Sequence, residues 1–295
     1  MRDFRWPPPP EGGPRISGPG PSAPRSGRPT LPPTPTALVP TPHGVELEHL
    51  STGSGEPVTI FAHGLGNGIA ETRPLGSGVA GRREFFHFRG HGRSAAPAGP
   101  WGYADLARDL RAVADLTGAD RAVGVSLGAG ALARLLVESP ERFSHAVFFL
   151  PAVLDRPRGP VARLRLTELL AAIEDGDPAR IADAVARDIP PTVRHTPAGW
   201  AYLRQRVEQL STEGLAPALA GLPEAVAVPD RADLRRVTAR CLVLGARGDE
   251  LHPAAVAEEL AAALPDATLH VYDRPGVLWT ARADLRTRIS GFLNA

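Results

Sequence analysis

The stretch from Asp120 to Glu138 constrains the fold more than any other part of the chain. Ala122-Val123-Gly124-Val125 is a short apolar run. Leu127 to Glu138 follows with small residues and then Leu132, Leu135, Leu136 and Val137 at helical spacing. The pattern predicts a buried strand that turns at Ser126 directly into a helix. Gly124 and Gly128 flank that turn, and the missing Cβ atoms leave room for a serine held on a sharp, strained bend. The bend pushes the hydroxyl out over the sheet edge. The N–H of Leu127, in the first helical turn, points to the same spot and can stabilise an oxyanion there. A plain glycine-rich turn is the bland alternative in a chain with 31 glycines, but the strand–turn–helix context favours a positioned nucleophile.

The rest of the chain fits around this unit. Pro57 to Ala62 reads as a buried strand ending in His63-Gly64-Leu65-Gly66-Asn67-Gly68, and Glu84 to Phe88 as another running into Arg89-Gly90-His91-Gly92-Arg93-Ser94. Tyr103 to Thr117 is amphipathic, with Leu106, Leu110, Val113 and Leu116 on one face, and stops at Gly118. His145 to Leu150, Cys241 to Gly245 and Ala267 to Tyr272 complete the strands. Short apolar strands alternating with helices predict an α/β fold whose mostly parallel, doubly wound sheet is buried on both faces. Between 155 and 238 the alternation stops in favour of helices broken by Pro and Gly. A helical insertion after a strand reads as a cap over a pocket.

Residues 1–42 are rich in Pro, Gly, Ser and Arg without hydrophobic periodicity, which predicts a disordered tail. Pro32-Pro33-Thr34-Pro35 there could serve as a Pro-rich ligand, and a misassigned start is an equal reading. The expected core is then 43–154 with 239–295, and the cap 155–238. The formal charge of +1 calls for neither nucleic acid nor an anionic membrane. The sole cysteine, Cys241, excludes an internal disulfide and fits a core strand. With no apolar leader or membrane-length run, the expected compartment is the cytoplasm, the expected partner a small molecule, and no metal or cofactor is implied.

Taken in order, these motifs resemble the α/β-hydrolase fold family over about residues 44–295. His63-Gly64 is similar to its oxyanion loop, Arg89 to Ser94 to its RGHGxS segment, and Gly124 to Gly128 to its nucleophile elbow. By this resemblance Ser126 is the nucleophile, Leu127 and Leu65 supply oxyanion donors beside His63 and Gly64, and Asp249 is the triad acid, the alternative being a turn residue. Two departures stand out. The family's histidine follows the last strand, where this chain has Val277, and the family commonly has Asp at the position of His87. His270 lies seven residues before Val277, about 20 Å at extended spacing.

A serine needs a base within hydrogen-bond reach. His252, in the loop of Asp249, is the leading replacement, with a contact to the cap as its other reading. Behind it rank His63, expected beside the oxyanion loop at the substrate site though usually a structural hydrogen-bonder in the family, His87, which ends a strand away from the nucleophile, and His91, which pins its own loop. Arg73, near the oxyanion loop, could bind a substrate carboxylate or phosphate, or pair with Glu71. Two functions follow: a serine hydrolase acting on a small, mostly apolar ester, thioester, lactone or amide through Ser126, or a degenerate relative that binds a ligand or runs a non-hydrolytic, lyase-type reaction in the same pocket.

Overall fold

The β-propensity runs and the helical repeats assemble into an eight-stranded sheet wrapped by helices, seen in a computed structural model that describes residues 35–212 and 215–295. The strands are β1 (Ala37–Pro40), β2 (Glu46–Thr52), β3 (Val58–Ala62), β4 (Arg82–Phe86), β5 (Arg121–Val125), β6 (His145–Phe149), β7 (Arg240–Ala246) and β8 (Ala267–Tyr272). They lie in the order β1-β2-β4-β3-β5-β6-β7-β8. β2 runs antiparallel to β1 and β4, and all other neighbours are parallel. The longer helices are α1 (Tyr103–Thr117), α2 (Leu127–Glu138), α3 (Pro160–Glu174), α4 (Pro178–Ala186), α5 (Pro197–Leu210), α6 (Ala254–Ala263) and α7 (Arg282–Leu293).

Strand alternation sorts the core into two halves. Ile60, Ala62, Ala122, Ala146, Phe148 and Val243 point to the face covered by α1, α2 and α6, where Leu106, Leu110, Leu132, Leu136 and Leu260 pack on them. Phe61, Val123, Val125, Val147, Phe149 and Leu244 point the other way, onto Leu285, Ile289 and Leu293 of α7. The strand registers carry this alternation across the centre, with Val123 beside Phe61 and Val147. Between β6 and β7 the chain leaves the sheet to form α3, α4 and α5, and their buried Leu170, Ile181 and Leu203 join the first half of the core.

The folded region begins earlier than the composition suggests. The expected tail 1–42 is corrected at its end: Ala37–Pro40 pairs with β2 as an edge strand, and Val39 packs on the core. Ala37, Leu38 and Val39 bring backbone donors and apolar side chains directly after the prolines, and an edge strand tolerates Pro40. The Pro-rich ligand reading and the rest of the tail fall on residues 1–34 and Pro35, almost wholly outside the described residues. Among the described residues, no helix is long and apolar enough to cross a membrane.

Helix α1 is tied to the sheet by a buried charge cluster. Asp109 is fully buried and accepts from Arg89 Nη2 (2.7 Å), Arg89 Nε (2.9 Å) and the Arg89 backbone N–H (3.2 Å), with His43 Nε2 on the same carboxylate at 2.8 Å. Removing one partner of such a pair leaves an uncompensated buried charge. Asp109→Ala should therefore lower the unfolding free energy by about 3–5 kcal/mol in urea denaturation, and a loss below about 1 kcal/mol would show that the cluster holds nothing.

Candidate active site

Ser126 sits where β5 meets α2. Its backbone is at φ 50°, ψ −105°, a sparsely populated region that costs on the order of 1–3 kcal/mol and persists only where the surroundings impose it. The surroundings are the two glycines. A Cβ on Gly124 would lie 2.5 Å from the Gly128 carbonyl oxygen, and one on Gly128 would lie 2.4 Å from the Ala62 oxygen. Strand β5 and helix α2 can approach this closely only without those side chains. The Ser126 N–H donates to Phe149 O (2.9 Å), fixing the turn to β6.

The side chain then meets the loop after β7. Ser126 Oγ lies 2.8 Å from His252 Nε2, and His252 Nδ1 lies 3.1 Å from Asp249 Oδ1. The same Asp249 oxygen accepts the backbone N–H groups of Leu251 (3.1 Å) and His252 (3.0 Å). Asp249 is thus both of the things the sequence offered: it closes a local turn with its side chain, and it faces an imidazole. Burial pushes its carboxyl up, but the charge and hydrogen bonds of His252 and the two backbone donors outweigh burial and hold it below the usual carboxylate range. With Nδ1–H donated to Asp249, Nε2 is left to accept the serine proton.

These residues open onto a cavity of about 440 Å³, within the ordinary range for small-molecule sites. Gly64, Leu65, Ser126, Leu127, Asp249 and His252 line it from the sheet, and α3 and α5 line it from the insertion through Leu166, Leu169, Tyr202 and Arg206. The first N–H of a helix has no intrahelical acceptor. Among the described residues, neither the N–H of Leu127 nor that of Leu65 is paired with a backbone acceptor. Arg165 of α3 ties the insertion to this loop, donating to Glu250 (3.1 Å) and to Asp188 (2.6 Å). Among the described residues no three His, Cys, Asp or Glu side chains gather as metal ligands. Cys241 is buried in β7, which pushes its thiol up to about 12.

Residues 57–276 match the family described as the alpha/beta hydrolase fold. The chain belongs to that family. Solved structures with the same fold include an esterase from Exiguobacterium antarcticum (17% identity, TM-score 0.73, 88% of this chain and 99% of that one). A hydrolase from Pseudomonas aeruginosa (24%, 0.74, 88% and 98%) and the enol-lactonase of Burkholderia xenovorans (22%, 0.72, 88% and 100%) are similar to the same extent.

Within this α/β-hydrolase frame two expectations need correction. His63 does not line the cavity: it is fully buried, its Nδ1–H donates to Gly64 O (2.7 Å), and its Nε2 accepts from Phe88 N (2.9 Å). Arg73 also lies elsewhere. The short helix Ile69–Thr72 passes into a 3₁₀ turn at Arg73, whose exposed side chain lines a separate cavity with His87 and Gln209. Its suggested partner Glu71 instead accepts from Gly68 N, Gln205 and Gln209. Val277 is buried in the apolar cluster of α7 while also lining the cavity. The sequence reading missed Arg206. It lies on the same helical face as Leu203 and Leu210, all three buried, and an arginine inside an apolar stripe was the available signal.

The loop Gly64–Gly68 rests on three histidines. His91 Nε2 accepts from Gly66 N (3.0 Å) and His87 Nε2 from Ile69 N (3.2 Å), while their Nδ1 atoms face Arg89 O and Glu48. With His63 they form a packed group, the His63 and His91 ring centres being 4.7 Å apart. A second proton on any of them would set N–H against N–H. Burial lowers all three, with like charge from neighbouring histidines adding at His63 and His91, and brings His91 to about 4. In the unfolded chain His91 takes its proton near 6.5, so between those values the unfolded state holds more protons and stability falls as pH falls. His91 alone should remove about 3 kcal/mol between pH 6.5 and 4. Urea denaturation across that interval checks this, and a flat profile would contradict it.

Proposed function

We propose that the protein is a serine hydrolase that cleaves a small, mostly apolar ester, thioester or lactone through Ser126. The 2.8 Å approach of Ser126 Oγ to His252 Nε2, continued to Asp249 at 3.1 Å, is the observation that supports the reading most directly. In this reading Ser126 Oγ attacks the substrate carbonyl as His252 takes its proton. Asp249 holds the ring in the correct tautomer and balances the imidazolium charge. The N–H groups of Leu127 and Leu65 receive the oxyanion, with Gly64 giving the carbonyl room beside Ser126. His252 then protonates the departing alcohol or thiol, and the acyl group stays on Ser126 until a water, deprotonated by the same histidine, releases the acid.

The base is thus drawn from the acid's own loop, three residues away, instead of from the segment after the last strand, where Val277 packs against α7. The insertion 155–238 acts as the cap, and its Leu166 and Leu169 give the acyl chain an apolar wall.

A fluorophosphonate should label wild-type protein on the peptide carrying Ser126. Ser126→Ala should abolish the labelling, and His252→Ala should slow it by at least about 10³-fold. Asp249→Asn should slow it as well, because the tautomer is no longer fixed. Folded wild-type protein that stays unlabelled would overturn the hydrolase reading in favour of ligand binding. Labelling that survives His252→Ala would remove His252 as the base. Steady-state hydrolysis of p-nitrophenyl acetate and p-nitrophenyl hexanoate gives an independent check, with the longer acyl chain expected to show the higher kcat/KM.

A further inference from the structure

Arg206 lines the cavity, and the proposed reaction leaves its chemistry unused. It is 8% exposed and projects from α5 toward the oxyanion loop, where Nη2 donates to Leu65 O at 3.0 Å. Its Nε and Nη1 are buried without a hydrogen-bond partner. Gly66, at φ +57°, lets the loop approach α5 closely; a Cβ there would stand 2.2 Å from Leu210 Cδ2 and 3.0 Å from Arg206 Nη1. A guanidinium keeps its charge in proteins, and a buried one is unfavourable unless its donors are matched by acceptors.

The nearby carboxylates are already engaged. Asp188 and Glu250 share Arg165, Asp249 faces His252, and Glu71 is held by Gly68 N, Gln205 and Gln209. Four arginines and three carboxylates line the cavity, and Arg187 pairs outward with Glu168. Among the described residues Arg158 makes neutral contacts only, to Leu222 O and the Tyr103 hydroxyl. Among the described residues none of these carboxylates forms an ion pair with Arg206. The Tyr202 hydroxyl stands against the Arg206 guanidinium, whose charge and hydrogen bond pull the phenol down while burial, the larger effect, pushes it up.

We propose that Arg206 is an anion-recognition residue and that the substrate carries a free carboxylate in addition to the bond that is cleaved. A planar guanidinium fork matches a carboxylate in two parallel hydrogen bonds. A Cβ on Gly64 would stand 3.5 Å from that of Ser126, and chain geometry from there through Leu65 O limits the guanidinium to within about 14 Å of Ser126 Cβ. Half-esters of linear dicarboxylic acids fit that span, with the ester at Ser126 and the free acid at Arg206. The word ester rests on the hydrolase reading, whereas the anion site stands on Arg206 alone.

The test is titration calorimetry of the Ser126→Ala protein with monomethyl succinate, adipate and suberate against the matching neutral dimethyl esters. At least one half-ester should bind about tenfold or more tightly than its diester. Arg206→Met should erase that preference and Arg206→Lys should retain part of it, with circular dichroism showing that each variant is folded. Equal affinity for half-ester and diester, no binding of any half-ester, or a preference that survives Arg206→Met would each overturn the proposal. The first two outcomes need no change at position 206, so a variant that fails to fold leaves the test intact. Turnover by wild-type protein is read separately: half-esters that bind through Arg206 without being cleaved would remove the hydrolase reading and leave the anion site standing.

Discussion

Everything in the site depends on the bend at Ser126, and that bend is a close-packing constraint before it is a chemical one. Its backbone occupies a region that a serine avoids in isolation. The cost is met by neighbours that cannot relax: β5 is held on both sides by parallel strands, and α2 lies within carbonyl contact of β3 and β5 through the two glycines. Because both strand faces are filled by large apolar side chains, the bend has no slack to unwind into. The direction in which the Ser126 side chain leaves the backbone is therefore fixed by packing.

Beneath the loop Gly64–Gly68 the same logic uses polar groups. The buried His63 and His91 and the half-buried His87 act as acceptors for backbone N–H groups of Phe88, Gly66 and Ile69. This is work for a neutral imidazole, whose one nitrogen donates while the other accepts. His87 supplies one of these acceptors while facing Glu48, which gives that departure from the common pattern a structural use.

How much of this could be read from residues alone depended on the range of the interaction. The alternation of Ile60, Phe61 and Ala62, or of Ala122 and Val123, reports a two-faced buried strand because side-chain period is a local property. The elbow was legible for the same reason, being complete within five residues. Asp249 and His252 could be paired because they share a loop. Arg73 misled because nearness in sequence to the oxyanion loop says nothing of the 3₁₀ turn that directs it outward. Arg206 could not be joined to Leu65 O across 141 positions without the path of α5, although its place among Leu203 and Leu210 marked it as unusual. The start of the folded region was misjudged at Ala37–Pro40 because edge pairing is decided by a partner strand, not by composition.

Placing acid and imidazole in one turn also changes what motion can do to the site. Asp249 Oδ1 binds the backbone of residues 251 and 252 as well as the ring of His252, so the pair travels as one rigid piece. When the loop shifts, the internal geometry of that piece is kept, and its position and orientation relative to Ser126 are what vary. Arg165, reaching from α3 to Glu250, couples that placement to the helical insertion.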